Sequence, residues 1–197
     1  MSPTIDVYFD VGSPTSYLAW TQLPALAERN NADINWQPML LGGVFKATGN
    51  QSPVTTPAKG RYTQVDLRRF ADAYGVRFQF NPHFPINTLS LMRGAVAHLR
   101  SHRFQDYLDC VFTALWVDGK NLNEPAVVAE VLSESGFDPS EVLALCEDPD
   151  VKDRLRQITE EAVSRGVFGA PTCFVGNDMF FGQDRLDWVE KALQSRH

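Results

Sequence analysis

The chain has 197 residues, 44% of them hydrophobic, which suits one globular domain or a domain with an insertion. The net charge of −6 at pH 7, with no Lys/Arg block, disfavours nucleic acid as a partner. No apolar run approaches the roughly 20 residues of a membrane span, and no basic region followed by an apolar core marks a signal peptide.

The N-terminal part alternates like a half-buried strand from Thr4 to Asp10. Ser13 then suits the N-cap of a helix and Pro14 its first position, where a missing N–H costs nothing. Apolar residues continue this helix, and Pro24 should kink it. A second strand is predicted at about 34–41, followed by loops that contain "GGVFKATGN" and "TTPAKGRY".

The middle of the chain predicts a block of six helices. Three are marked by apolar stripes: Leu67, Phe70, Ala71 and Tyr74, stopped by Gly75; Leu89, Met92, Val96 and Leu99; and Phe104, Tyr107, Leu108, Val111, Phe112 and Leu115. The other three are marked by prolines that suit first helical positions, at Pro125, Pro139 and Pro149.

The last part of the chain predicts two short strands, 172–175 and 179–181, joined by the turn residues 176–178. A final helix is predicted with Asp184 as its N-cap. The order predicts an α/β fold, a thioredoxin-like βαβ…ββα unit (1–43 plus 167–197) that carries an inserted all-helical domain (44–166). A right-handed crossover would place the start of the first helix at the carboxyl ends of the strands, where such sheets bind ligands.

Ser13 and Ser16 have the spacing of the Cys-x-x-Cys that follows the first strand in redox proteins of thioredoxin type. A serine at a helix N-terminus can donate a hydrogen bond to a thiolate that a ligand supplies, and so lower the pKa of the thiol. A simple helix cap explains Ser13 equally well from this motif alone. No Ser-His-Asp arrangement is indicated.

"GVFGAPTCFV" places Pro171 just before the third predicted strand, where a cis proline would present the backbone of Ala170 to an extended thiol substrate. An ordinary loop proline is the alternative. Asp184 could hold an ammonium group as well as cap a helix. Lys46 and Lys59 could bind carboxylates, although solvated loop lysines are the usual case.

Three cysteines, an odd number far apart in sequence, indicate reduced thiols and therefore the cytosol. No Cys/His set has zinc spacing, so no metal site is predicted. The cysteines are Cys110, Cys146 and Cys173.

Six segments in order along the whole chain resemble the 2-hydroxychromene-2-carboxylate isomerases, glutathione-dependent enzymes of the DsbA-like and kappa-class glutathione transferase superfamily. These are "FDVGSPTSYLA", "LLGGVFKATGN", "FPINTLSLMRGA", "ALWVDGKNL", "GVFGAPTCFV" and "FFGQDRLDWV". The resemblance implies that Ser13 is catalytic and stabilises the thiolate of bound glutathione. Thr15 stands where an aromatic residue is common in the family, which could widen the pocket.

The resemblance also implies two sets of binding residues. Glutathione would be bound by Ser13, Pro14, Thr15, Asn50, Lys59, Ala170, Pro171, Gln183 and Asp184. The aromatic substrate would be bound by Lys46, Thr56, Pro57 and Trp116.

The implied reaction is reversible covalent catalysis with glutathione as cofactor, in an enzyme that relatives suggest is a homodimer. It interconverts 2-hydroxychromene-2-carboxylate-type compounds and trans-o-hydroxybenzylidenepyruvate. Two alternatives stay open: a kappa-like transferase or peroxidase that acts on electrophiles, and a binding module for thiol peptides without catalysis. A disulfide oxidoreductase is disfavoured because the motif contains no sulfur.

Overall fold

Four strands form one mixed sheet in the computed structural model, which describes residues 2–195. The strand order is β2-β1-β3-β4; β1 pairs with β2 in parallel, and β3 is antiparallel to both β1 and β4. The strands are β1 (Thr4–Phe9), β2 (Asp33–Pro38), β3 (Thr172–Val175) and β4 (Asp178–Phe181). The arrangement confirms the predicted βαβ…ββα order. Met1, Arg196 and His197 lie outside the described residues.

Seven α-helices separate β2 from β3 in the chain, and six of them confirm the predicted block. They are α2 (Leu41–Thr48), α3 (Pro57–Tyr74), α4 (Leu89–His98), α5 (Phe104–Trp116), α6 (Pro125–Glu134), α7 (Pro139–Glu147) and α8 (Pro149–Ser164). Helix α1 (Pro14–Arg29) links the parallel strands, and α9 (Leu186–Gln194) follows β4. Within residues 2–195, no helix is both long and apolar enough to cross a membrane. The exact domain boundaries stay a prediction.

Local sequence signals fix several helix ends. Proline occupies the first turn of α1, α3, α6, α7 and α8, where its missing N–H removes no helical hydrogen bond. Asp138 caps α7 by accepting hydrogen bonds from the backbone N–H groups of Ser140 and Glu141. Gly75 ends α3 in the left-handed region, at φ 66°, which a residue without Cβ adopts freely.

The core lies on both faces of β1. Val7, Tyr8 and Phe9 are consecutive and all at most 2% exposed, and consecutive strand residues point to opposite faces. On one face Trp20 packs against Trp36, with ring centroids 4.7 Å apart. Aromatic side chains buried in this way contribute about 1.5–3 kcal/mol each, so this layer holds β1 and β2 against α1.

Helix α2 contradicts the predicted loop after the second strand, and β2 ends at Pro38 instead of near 41. Two contacts from distant elements start the helix. The backbone N–H of Leu40 donates to Thr159 Oγ1 (3.0 Å), and that of Leu41 donates to Asp10 Oδ2 (2.8 Å). Gly42 and Gly43 lower helix propensity by about 1 kcal/mol each, which is why the segment is predicted as a loop.

Glu190 joins the middle of α9 to the C-terminal end of α1. Its carboxylate accepts two hydrogen bonds from Arg29 (2.6 and 2.8 Å) and one from Asn30 Nδ2 (2.9 Å). These hydrogen bonds lower the pKa of Glu190 to about 2. A lowered pKa means that the contribution to stability is present at neutral pH and is lost in acid.

Glu190→Gln is therefore expected to lower the unfolding free energy at neutral pH by about 1 kcal/mol, since solvent screens a pair at the surface. The difference from the wild type should shrink as the pH falls from about 4.5 towards about 2. Urea unfolding at several pH values measures it, with the exposed Glu28→Gln as the control. A difference that does not change with pH would contradict this account.

Candidate functional site

Ser13 lies at the start of α1, at the end of the turn that follows β1. Its Oγ accepts a hydrogen bond from the backbone N–H of Ser16 (3.2 Å), so the predicted N-cap is confirmed. The side chain is 5% exposed. A helix N-terminus leaves backbone N–H groups without helical acceptors and favours a negative charge near them.

The loop before β3 brings Ala170 against this helix start, and the Ala170-Pro171 peptide bond is cis, as predicted. The carbonyl oxygen of Ala170 lies 3.1 Å from Ser13 Oγ and 2.9 Å from Thr15 Oγ1. The two hydroxyl oxygens are 2.7 Å apart. Among the described residues, nothing accepts a hydrogen bond from the backbone N–H of Ala170. The structure thus brings together five predicted site residues, counting Pro14 beside Ser13, and leaves one backbone donor available.

Trp116 supports the β1–α1 turn from the core. Its Nε1–H donates to the carbonyl oxygen of Val11 (2.8 Å), and the indole has no exposed surface. Phe78 stacks on it, with centroids 6.2 Å apart. The structure therefore gives Trp116 a supporting contact, and its contact with an aromatic substrate stays a prediction.

Asp10 is a buried acid at the same turn, and the alternating pattern of β1 predicts it only as a residue on the polar side of the strand. Its carboxylate accepts hydrogen bonds from Gly12 N (2.9 Å), Leu41 N (2.8 Å) and Thr88 Oγ1 (3.1 Å). Burial raises the pKa of Asp10, and these three donors oppose that rise. One side chain therefore connects the β1–α1 turn to the starts of α2 and α4. An acid two residues before Gly12 is the only signal of this role in the sequence.

Gln183 and Asp184 lie next to the cis-proline loop, because the N–H of Gly182 donates to the carbonyl oxygen of Pro171 (2.9 Å). Tyr74 donates to the carbonyl oxygen of Gln183 (3.0 Å), which connects α3 to this segment. Gln183 and Asp184 line a cavity of about 180 Å³ between α1, α3 and α9.

The prediction that Asp184 caps the last helix is wrong. Residues Gln183–Arg185 form a short 3₁₀ turn, α9 begins only at Leu186, and no side chain caps either. The Asp184 carboxylate instead accepts a hydrogen bond from Arg185 Nη1 (2.6 Å). Gly182 adopts φ 97°, which turns the chain before the helix and takes Asp184 out of the capping position.

The remaining predicted residues lie on the exposed segment from α2 to α3. Asn50 Nδ2 donates to the carbonyl oxygen of Phe168 (2.8 Å), so it connects this segment to the cis-proline loop. Lys46 lies on α2 and not in a loop, and Lys59 lies in the first turn of α3; neither forms an ion pair within residues 2–195. Thr56 and Pro57 start α3. Within residues 2–195 no hydrogen bond or ion pair joins these four residues to Ser13, and their roles stay predictions.

The three thiols are poor nucleophiles. Burial raises the pKa of Cys173 to about 12 and that of Cys146 to about 11, and it also raises the pKa of Cys110. The reactive form of cysteine is the thiolate, so all three are protonated at neutral pH. Cys173 lies on β3, two residues after Pro171, and is 2% exposed. The protein's own sulfur atoms therefore do not supply a nucleophile to the site.

Comparison with known proteins agrees with this geometry. The model of the DSBA-like thioredoxin domain matches residues 4–194. A 2-hydroxychromene-2-carboxylate isomerase of Pseudomonas putida is 32% identical over 194 residues, which cover 96% of this chain and 93% of the relative. Human glutathione S-transferase kappa 1 is 28% identical over 208 residues, 96% of this chain and 90% of its own.

A solved structure of a selenomethionine-labelled 2-hydroxychromene-2-carboxylate isomerase superimposes with a TM-score of 0.87. Its sequence is 31% identical, and the match covers 98% of this chain and 95% of that one. The names of these relatives support the inference that the protein is an enzyme of isomerase or glutathione-related type. The chain belongs to the DsbA-like thioredoxin domain family and, within it, to the family of the 2-hydroxychromene-2-carboxylate isomerases.

Proposed function

We propose that the protein is a glutathione-dependent isomerase that interconverts 2-hydroxychromene-2-carboxylate-type compounds and trans-o-hydroxybenzylidenepyruvate. One observation supports this most: the Ser13 hydroxyl lies at the start of α1 and 3.1 Å from the Ala170 carbonyl, where a redox relative would need cysteine. The site therefore has a hydrogen-bond donor for a thiolate, but no thiolate of its own.

The residues present fit glutathione. A tripeptide in extended form needs backbone partners, and the N–H of Ala170 has no acceptor among the described residues. The exposed ammonium groups of Lys46 and Lys59 suit carboxylates of cofactor and substrate. Gln183 and Asp184 line the cavity beyond the cis-proline loop, where polar groups suit the γ-glutamyl end.

Bound glutathione would supply a thiolate that adds reversibly to the conjugated carbon of the substrate, so that the former double bond can rotate before the thiolate is eliminated. The chain's own task is electrostatic. Ser13 donates a hydrogen bond that favours the ionised thiol, and the N-terminus of α1 adds a fixed positive potential. The backbone of Ala170 fixes the orientation of the cysteinyl unit. Lys46 would hold the substrate carboxylate near the site.

Stoichiometry tests this proposal. A trace of glutathione should convert a large molar excess of an aromatic hydroxychromene carboxylate, from both directions to the same equilibrium, with the free thiol titre unchanged. S-methylglutathione should inhibit, because it occupies the site without a thiol. One glutathione lost per product would indicate a transferase, which the similarity to the human kappa enzyme makes the second candidate. Binding without conversion of any enone would indicate a binding module.

The protein's own thiols should be dispensable. Replacing Cys110, Cys146 and Cys173 by alanine is expected to preserve glutathione-dependent turnover, with a packing loss of about 1 kcal/mol at each site. The wild type should not reduce insulin, since burial keeps all three thiols protonated. Insulin reduction that Cys173→Ala abolishes would contradict the proposed chemistry.

A cytosolic homodimer is part of the same proposal. The odd number of unpaired cysteines favours a reducing compartment. Light scattering of the purified protein measures the oligomeric state directly, and a monomeric mass would refute the dimer.

A further inference from the structure

Three oxygen atoms meet at the start of α1, and they share only two hydroxyl protons. Ser13 Oγ, Thr15 Oγ1 and the Ala170 carbonyl oxygen lie 2.7, 2.9 and 3.1 Å from one another. The carbonyl can only accept hydrogen bonds, and each hydroxyl donates one. One of the three contacts therefore always lacks a proton.

The contact between the two hydroxyls is the shortest of the three. Two oxygen atoms at this distance repel each other unless a proton lies between them, so this contact most needs a hydrogen bond. Two proton arrangements satisfy it. Either Ser13 donates to Thr15 and Thr15 donates to Ala170, or Thr15 donates to Ser13 and Ser13 donates to Ala170. Ser13 Oγ also accepts from the backbone N–H of Ser16, which fixes the position of its oxygen in both arrangements.

We propose that Thr15 is a positioning residue that donates its proton to Ser13 Oγ while Ser13 donates to the thiolate of bound glutathione. This inference rests on the proposed function. A hydroxyl that accepts a hydrogen bond becomes a stronger donor, so the chain from Thr15 through Ser13 to sulfur stabilises the ionised thiol further. No bond other than hydrogen bonds changes in this step.

The Ala170 carbonyl lies 3.1 Å from Ser13 Oγ and competes with sulfur for the Ser13 proton. Because Thr15 has one proton and donates it to Ser13, the 2.9 Å contact between Thr15 and this carbonyl then carries no proton. The effect of Thr15 is therefore the stronger donation by Ser13 to sulfur. Ser13 is buried and Thr15 only partly so, which puts the second hydroxyl at the rim of the site.

The test is the pKa of the thiol of bound glutathione, followed by the ultraviolet absorbance of the thiolate during a pH titration. Thr15→Val keeps the branched shape and removes the hydroxyl, whereas Thr15→Ser keeps the hydroxyl. We expect Thr15→Val to raise this pKa by about half a unit to one unit, or about three- to tenfold less thiolate at neutral pH. Thr15→Ser should titrate close to the wild type.

Affinity for S-methylglutathione is the control, because this probe fills the groove without a thiol. Since Thr15 is itself a predicted glutathione contact, the readout is the difference between the two ligands: Thr15→Val should lose more affinity for glutathione at neutral pH than for S-methylglutathione. Equal thiol pKa values in the wild type and Thr15→Val would overturn the inference, and so would equal losses of affinity for the two ligands, which would make Thr15 a structural residue of the groove. Failure of the proposed function would give a different result, because the wild type itself would then show no glutathione binding or no lowered thiol pKa.

Discussion

Ser13→Ala is expected to lower turnover about a hundredfold, because removing one preorganised donor to an anion costs on the order of 3 kcal/mol. Ser13 is also the N-cap of α1, so the unfolding free energy should fall by about 1 kcal/mol. Affinity for glutathione should fall less than turnover does, since the Ala170 backbone and the lysines remain. Steady-state kinetics at saturating glutathione, together with urea unfolding, separate the two effects.

Ser16→Ala is the matched control, in the same helical turn. The Ser16 hydroxyl is buried and has no hydrogen-bond partner among the described residues, and its backbone N–H, which contacts Ser13, is kept. Removing an unpaired buried hydroxyl should leave turnover within about twofold and stability unchanged or slightly higher. If both alanine variants lost activity equally, the loss would reflect the helix start and not the Ser13 donor.

Asp10→Ala should produce the largest loss of stability, about 3 to 5 kcal/mol. It leaves the N–H groups of Gly12 and Leu41 and the hydroxyl of Thr88 without their acceptor, at about 1–3 kcal/mol for each buried group. Since the N–H of Leu41 starts α2, that helix should lose protection from amide exchange first. Urea unfolding and hydrogen exchange measure both effects.

Thr88→Val is the control for Asp10, because it removes one donor of three and should cost about 1 kcal/mol. The pH dependence has a definite sign. The folded pKa of Asp10 is raised, so its contribution is complete in acid and declines as the pH rises through that pKa. The gap between Asp10→Ala and the wild type should therefore widen as the pH is lowered. A loss in Asp10→Ala no larger than that in Thr88→Val would contradict the connecting role.

Residues with local signals were the predictable part of the fold and site. The Ser13 cap, Pro171 before β3 and Gly75 after α3 each act through their nearest neighbours in sequence, and the structure confirms them. The sequence predicts Asp184 as an equally good cap, but the backbone turns at Gly182, and α9 begins only at Leu186.

Features made by distant residues could not be read from the sequence. Helix α2 carries two glycines near its start, and its first N–H groups are satisfied by Asp10 and Thr159, which are 31 and 119 residues from their partners. Lys46 therefore lies on a helix that no local pattern indicated. The hydrogen-bond partners of Asp10 and the contact between Thr15 and Ala170 could not be predicted for the same reason.

The pairing of β1 with β3 sets the order in which a newly made chain can become functional. Tyr8 lies opposite Thr172, and Ser13 lies 157 residues before Ala170, so one side of β1 has no neighbouring strand until synthesis has passed β3. The helices between them pack through shorter-range contacts and can form earlier. A nascent chain stalled before β3 would hold folded helices and an open apolar strand edge, which exposes it to aggregation and to chaperone binding.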